Sequence, residues 1–98
     1  MKIVKTREGS KLTIALEGRL DTTTAPELEK ELKECLDVAT ELTLDFSRLD
    51  YISSAGLRVL LSAHKAMTKK DGMKVANVNE IVKEVFDVTG FSDILTIE

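Results

Sequence analysis

The sequence predicts a single α/β domain with a mixed, mostly parallel sheet whose helices lie mainly on one face. Segments that alternate apolar and polar residues, as half-buried strands do, are interleaved with segments whose apolar residues recur every three or four positions, as in amphipathic helices. The resulting order is β-β-α-β-α-β-α-β, and strands separated by helices imply right-handed crossovers between parallel strands. At least two strands keep a polar face, which is not expected of a sheet covered on both sides.

The first half of the chain provides three strands and one helix. We expect the strands at residues 2–6, 11–16 and 41–46, where Leu12, Ile14 and Leu16 show the alternation most clearly. The helix is expected over residues 25–38. A capping box, with Thr24 as the N-cap and Glu27 reaching back to it, is expected to begin that helix.

The second half provides two helices and two strands. The helices are expected at residues 54–70 and 80–88, and the strands at 73–78 and 95–97. Asn79 is a plausible N-cap for the last helix, and Gly90 fits its C-terminus. The apolar positions of that helix are expected to face the core: Ile81, Val82, Val85 and Phe86.

Length and composition restrict the class of protein. The 98 residues are 43% hydrophobic and 32% charged, which suits one globular domain over residues 1–98. A net charge of −3 without a basic cluster argues against a nucleic-acid partner. No apolar run approaches the ~20 residues of a membrane span, so we expect a cytoplasmic protein without direct membrane insertion. With one Cys35 and one His64, we expect no disulfide, no metal site and no cofactor.

Two loops are candidates for function. One runs from Gly18 to Asp21 and on to Thr24, and the other spans residues 52–57. Each connects the carboxyl end of a strand to the next helix, and in a parallel sheet such loops lie on the edge where ligands bind. Asp21 and Ser54, 33 positions apart, are therefore expected to be neighbours.

Ser54 has no base that would make it a catalytic nucleophile. His64 lies ten residues further along the same helix, about 15 Å away along its axis, so we do not expect an enzyme. A serine at a helix N-terminus is instead well placed to receive a phosphoryl group, because the helix dipole favours an anion there. The simpler alternative is that Ser53 and Ser54 are only N-caps, with Gly56 a packing accommodation.

Three motifs resemble those of the STAS family, specifically its stand-alone bacterial anti-sigma factor antagonists. Gly18-Arg19-Leu20-Asp21 resembles a Gly-x-hydrophobic-Asp element of that family. The stretch from Asp50 to Leu57 resembles its phosphorylation loop, and the stretch from Val85 to Phe91 is similar to a Phe-Asp-hydrophobic-Thr/Ser-Gly run near its end. The resemblance covers essentially the whole chain.

The resemblance implies a phosphorylation-switched protein-binding module. In that family the unphosphorylated domain binds an anti-sigma factor that is also a serine kinase, which frees the sigma factor for transcription. Phosphorylation of the loop serine releases the antagonist, and a PP2C-type phosphatase restores it. The acceptor corresponds to Ser54, and the resemblance implies that partner contacts come from the two loops: Asp21, Thr22, Ser53, Ala55, Gly56, Leu57 and Arg58.

Two alternatives remain open at this stage. The position before the acceptor, often acidic in the family, is Ser53 here, which leaves Ser53 as a second candidate acceptor. The chain could also be a STAS-like accessory subunit of a membrane transporter, in which the loop docks on an ATPase without being phosphorylated. A serine at position 54 favours the antagonist.

Overall fold

The computed structural model describes residues 1–98 and contains five strands, three α-helices and one short 3₁₀ helix. In chain order, the strands are β1 (Lys2–Glu8), β2 (Lys11–Leu20), β3 (Glu41–Ile52), β4 (Met73–Ala76) and β5 (Thr96–Ile97). The helices are α1 (Ala25–Cys35), α2 (Ser54–Met67) and α3 (Glu80–Thr89), with the 3₁₀ helix at Phe91–Asp93. The predicted order of strands and helices is confirmed.

The sheet is mixed and mostly parallel, as predicted. Its strands follow the order β1-β2-β3-β4-β5, with β1 antiparallel to β2 and every other neighbouring pair parallel. Each crossover from β2 onward moves one strand in the same direction. Because such crossovers are right-handed, the three helices lie on the same face of the sheet.

The core lies between that face and the helices, and it is almost entirely aliphatic. Twenty-three buried hydrophobic residues form one cluster, and no polar or charged residue is buried with them. Phe46 of β3 and Phe86 of α3 are its two fully buried aromatics, with ring centroids 6.4 Å apart. None of the helices has the length and apolar composition of a membrane span.

β3 runs well beyond the predicted residues 41–46. Two bulges opposite β2 each insert one extra residue into β3, between the partners of Ala15 and Glu17 and between those of Gly18 and Arg19. Each bulge resets the alternation, so that Phe46, Leu49 and Ile52 are all buried at a spacing of three. The strand therefore continues to Ile52, which lies inside the second candidate loop.

The helix boundaries were predicted with errors of a few residues. α1 ends at Cys35 and α2 at Met67, each about one turn earlier than expected. Thr24 is the N-cap residue of α1, as predicted, but the predicted capping box is wrong because the Thr24 side chain makes no cap hydrogen bond. The predicted N-cap at Asn79 is confirmed: its side chain accepts a 2.8 Å hydrogen bond from the Val82 N–H. Gly90 ends α3 in the left-handed conformation, with φ of 84°.

Candidate functional site

The two candidate loops lie side by side at the carboxyl edge of the sheet. Leu20 and Ile52, the last residues of β2 and β3, are paired in the parallel ladder. One residue later, the Ser53 N–H donates a 2.9 Å hydrogen bond to the Leu20 carbonyl oxygen. Asp21 therefore begins its loop beside Ser53 and the first turn of α2, as the sequence predicted.

The Asp21 carboxylate organises the first loop. Its Oδ1 accepts hydrogen bonds from the Thr23 N–H at 3.0 Å and the Thr24 N–H at 3.1 Å. The Thr24 hydroxyl accepts from the Asp21 N–H at 2.9 Å and donates to the Arg19 carbonyl at 2.8 Å. This network occupies the Thr24 hydroxyl and so explains why it does not cap α1.

These contacts also keep Asp21 ionised. The Thr24 N–H, followed by the Thr23 N–H and the Thr24 hydroxyl, holds the pKa of Asp21 below its ordinary value against the opposing effect of desolvation. Arg19 adds a weaker attraction, with its Nε 3.9 Å from Asp21 Oδ2. At neutral pH the edge therefore presents a fixed negative charge.

Arg19 is held in place from the neighbouring strand. Its guanidinium carbon lies 4.6 Å from the centre of the Tyr51 ring, a cation–π arrangement across β2 and β3. Arg19 and Tyr51 are register partners immediately before the two loops. The pair thus joins the bases of the two loops through side chains as well as through the backbone.

Ser53 and Ser54 occupy different environments at the start of α2. Ser53 is the N-cap residue, with φ of −100° and ψ of 175°, but its side chain makes no cap hydrogen bond. Its Oγ is enclosed and has no hydrogen-bond partner. Ser54 is the first helical residue and is exposed. The simpler interpretation of both serines as N-caps holds for Ser53 in position, although its side chain makes no cap hydrogen bond, and it is wrong for Ser54, which is the first helical residue.

Gly56 allows α2 to approach the sheet closely. A Cβ built on Gly56 would lie 2.7 Å from Leu20 Cγ and 2.9 Å from Ile52 Cγ1, distances that real Cβ contacts do not reach. A side chain here would therefore push the start of α2 away from the ends of β2 and β3. Leu57, next along the helix, is buried in the core.

The remaining candidate contacts lie on the surface. Thr22, Ser54 and Arg58 are exposed, while Ala55 is half-buried. Thr22, Ala55 and Arg58 also line a groove of about 450 Å³ that runs between α1 and α2. Arg58 takes part in none of the chain's seven ion pairs.

The edge holds no catalytic arrangement around Ser54. His64 is half-buried two to three turns further along α2, and its Nδ1 has no partner. No three or more His, Cys, Asp and Glu side chains are grouped so that they could hold a metal ion.

Sequence reasoning missed two features of this edge. The Arg19–Tyr51 pair depends on the parallel register of β2 and β3. That register shifts at the two bulges, and the bulges cannot be located from a single sequence. The groove between α1 and α2 depends on small side chains of both helices, including Ala25, Ala55 and Ala63. The cluster of alanines on α2 was the signal that could have indicated it.

Comparison with models of known protein families identifies the family of this chain. Residues 2–98 match the model of the STAS domain. This chain belongs to the STAS domain family. The match extends from the first residue of β1 to the end of the chain and so includes both candidate loops.

Individual proteins named as anti-sigma factor antagonists, one of them as putative, resemble the chain over most of its length. BtrV of Bordetella bronchiseptica is 35% identical over 99 residues, covering 99% of this chain and 85% of that protein. The anti-sigma-B factor antagonist of Bacillus subtilis is 30% identical over 87 residues, covering 88% of this chain and 80% of its own length.

Solved structures of SpoIIAA share the fold. The structure of the anti-sigma factor antagonist SpoIIAA in its unphosphorylated form superposes with a TM-score of 0.85 at 18% identity, covering 99% of this chain and 88% of that one. The phosphorylated form of Bacillus SpoIIAA gives a TM-score of 0.77 at 17% identity, covering 99% and 91%. At these identities the likeness concerns the fold alone.

Proposed function

We propose that this STAS protein is an anti-sigma factor antagonist controlled by phosphorylation of Ser54. Unphosphorylated, it binds a cytoplasmic anti-sigma factor that is also a serine kinase, and the sigma factor is thereby freed. Phosphorylation of Ser54 releases it, and a PP2C-type phosphatase restores the binding form. The names of the relatives support the antagonist role over that of a transporter subunit.

The exposed position of Ser54 is the observation that carries the proposal. A kinase must reach the hydroxyl that it modifies, and Ser54 is exposed while the Oγ of Ser53 is enclosed. The first turn of α2 contains no acidic residue, and its free N–H groups and dipole favour an added anion by about 0.3–2 kcal/mol. The fold should therefore tolerate the phosphate.

A docked partner would not tolerate a phosphate on Ser54. The phosphate adds a charge of about −1.5 to −2, beside the carboxylate of Asp21. Enclosing that charge in an interface without a cationic partner costs several kcal/mol, and each ~1.4 kcal/mol weakens binding tenfold. The same group that leaves the fold intact is thus sufficient to dissociate the complex.

The other predicted contacts divide into two roles. Thr22, Ala55 and Arg58 border the groove and offer direct contacts to the kinase. Asp21 offers its carboxylate from the neighbouring loop, while the half-buried Ser53, whose Oγ is enclosed, offers less surface. Gly56 and Leu57 are buried, and their contribution is to fix the position of the loop.

Phosphorylation by the cognate kinase tests the proposal. The protein is incubated with ATP and the kinase, and the phosphate is located by mass spectrometry in the wild type and in Ser54→Ala, Ser53→Ala and Ser62→Ala. Ser62, exposed on the same helix, is the matched control. We expect one phosphate in every protein except Ser54→Ala. Full modification of Ser54→Ala, or loss of modification only in Ser53→Ala, would contradict the assignment.

A further inference from the structure

The third helix carries an apolar row that faces solvent. Ile81, Val85 and Val88 are spaced by four and three residues, which places them on one side of α3. Ile81 is 59% exposed and Val88 80% exposed, the two highest values among the large hydrophobic residues of the chain. The sequence predicted that Ile81 and Val85 face the core, but Ile81 is exposed and Val85 only half-buried. Val82 and Phe86 are the buried residues of α3, and Val85 packs partly against the core, so only Ile81 departs fully from the prediction.

The row is held rigidly. Asn79 caps the start of α3 and also donates a 2.8 Å hydrogen bond from its Nδ2 to the Leu49 carbonyl oxygen on β3. At the other end, the Asp87 carboxylate accepts a hydrogen bond from the Ser92 hydroxyl of the 3₁₀ helix. With Phe86 fully buried beneath it, the row is a preorganised surface, and preorganisation lowers the entropic cost of binding.

An acidic row runs beside the apolar one. Glu80, Glu84 and Asp87 each precede one member of the apolar row, and all three are exposed. None of them belongs to an ion pair. Like charges at these spacings destabilise a helix, and a negative charge in the last turn also opposes the helix dipole. Glu80 lies in the first turn, where the dipole favours its charge, so the cost falls on Glu84 and Asp87, and a cationic partner would relieve their repulsion.

We propose that these two rows form a second protein-docking surface, which takes a helical segment of another protein with apolar residues flanked by lysine or arginine. Such a segment would cover Val88 and neutralise Glu84. This surface shares no residue with the Ser54 loop. The proposal goes beyond the phosphorylation switch and does not depend on it.

A second copy of this chain and an anionic membrane are poorer occupants. The only basic residue of α3 is Lys83, which lies beside Glu80 and Asp87 of the acidic row and away from the apolar row. Two α3 helices would therefore bring three carboxylates from each copy together with only one lysine from each, which is a net repulsion. An anionic lipid surface would be repelled by the same row.

A pair of synthetic peptides tests the proposal. One is an amphipathic helix with leucines at the spacing of the apolar row, flanked by lysines, and the other has glutamate in place of each lysine. Binding is followed by amide NMR shifts. We expect the lysine peptide to perturb residues 80–94 and to bind at least about tenfold more tightly than the glutamate peptide, with affinity falling as salt rises. Equal binding of both peptides, or no shift in α3, would overturn the proposal.

Matched variants sharpen the result. Val88→Asp should weaken binding of the lysine peptide at least about tenfold. Val38→Asp changes a valine that is 52% exposed in the loop after α1, and it should leave this binding unchanged. Glu84→Lys should shift the preference toward the glutamate peptide. Ser54→Asp should leave peptide binding unchanged, so this proposal and the switch can fail separately. Equal loss in Val88→Asp and Val38→Asp would contradict a specific surface.

The other two occupants are tested on the same proteins. Sedimentation should show a monomer, and vesicles of anionic phospholipid should not bind the wild type. A dimer that Val88→Asp dissociates, or vesicle binding that Val88→Asp abolishes, would assign the surface to a second copy or to a membrane and overturn the proposal. Circular dichroism verifies that each variant is folded.

Discussion

The Ser53 N–H donates a 2.9 Å hydrogen bond to the Leu20 carbonyl oxygen, which ties the loop before α2 to the loop of Asp21 at their first residues. The Leu20–Ile52 pair lies directly beneath this bond, and Gly56 packs on both side chains. A partner that docks on one loop therefore meets the other in a fixed position. The two loops therefore form one continuous part of the surface at this edge of the sheet.

A negative charge at position 54 should weaken kinase binding without unfolding the protein. We expect Ser54→Asp to lower the affinity at least about tenfold, because the carboxylate enters the interface beside Asp21. Titration calorimetry measures the affinity, and thermal melting should give a Tm near that of the wild type. Ser47→Asp carries the same charge at an exposed serine of β3 that does not line the groove, and it should bind more tightly than Ser54→Asp. Equal affinities for the two variants would contradict the placement of the interface.

Gly56→Ala should destabilise the protein through a specific clash. Its new Cβ would meet Leu20 and Ile52 at less than van der Waals distance, and we expect a loss of about 1–3 kcal/mol in the free energy of unfolding. The same substitution in a Leu20→Ala background should cost less, because the nearest atoms are gone. A double-mutant cycle by urea unfolding measures this coupling. Strictly additive costs would show that the clash is not with Leu20.

Asp21 should contribute stability that depends on pH. Its pKa is lowered in the folded state, so its stabilising effect is complete above the unfolded pKa of about 4 and is lost as pH falls through the folded value. We expect the difference in unfolding free energy between wild type and Asp21→Ala to be largest at neutral pH and to shrink in acid. Asp21→Asn keeps an acceptor for the Thr23 and Thr24 N–H groups and should be less destabilised than Asp21→Ala. A difference that does not change with pH would contradict the ionised role of Asp21.

Asn79 should contribute more to the free energy of unfolding than an ordinary helix cap does. Its Oδ1 accepts from the Val82 N–H and its Nδ2 donates to the Leu49 carbonyl, so Asn79→Ala removes two interactions. We expect a loss of roughly 2 kcal/mol or more, about 1 from the cap and the remainder from the unpaired carbonyl. Asn79→Ser keeps a capping oxygen and should lose about half as much. Chemical denaturation measures both losses. Equal losses of unfolding free energy in Asn79→Ala and Asn79→Ser would assign the whole effect to the contact with Leu49.

The sequence predicted the architecture because each strand and helix has a clear period in its apolar residues. It failed at β3 for the same reason. The strand's alternation breaks after Phe46, where a bulge changes the spacing of inward residues from two to three, and the predicted strand stopped there. Bulges depend on pairing with β2, which no local pattern of β3 contains.

The candidate site was predicted in position but not in detail. Parallel topology was enough to bring Asp21 and Ser54 to one edge of the sheet. The role of Thr24 was predicted wrongly, because the cap pattern competes with the hydrogen bonds that the Asp21 loop offers to the same hydroxyl. The exposure of Ile81 was also missed, because α3 has more apolar positions than the one side that the core covers.

The affinity of the purified protein for its cognate kinase, before and after stoichiometric phosphorylation, tests the central claim most directly. The phosphorylated form is prepared with the kinase, verified by mass spectrometry at Ser54, and titrated under the same conditions as the unmodified form. We predict that phosphorylation weakens binding by at least about a hundredfold, or about 3 kcal/mol, while both forms melt cooperatively at similar temperatures. Equal affinities for the two forms would contradict the switch.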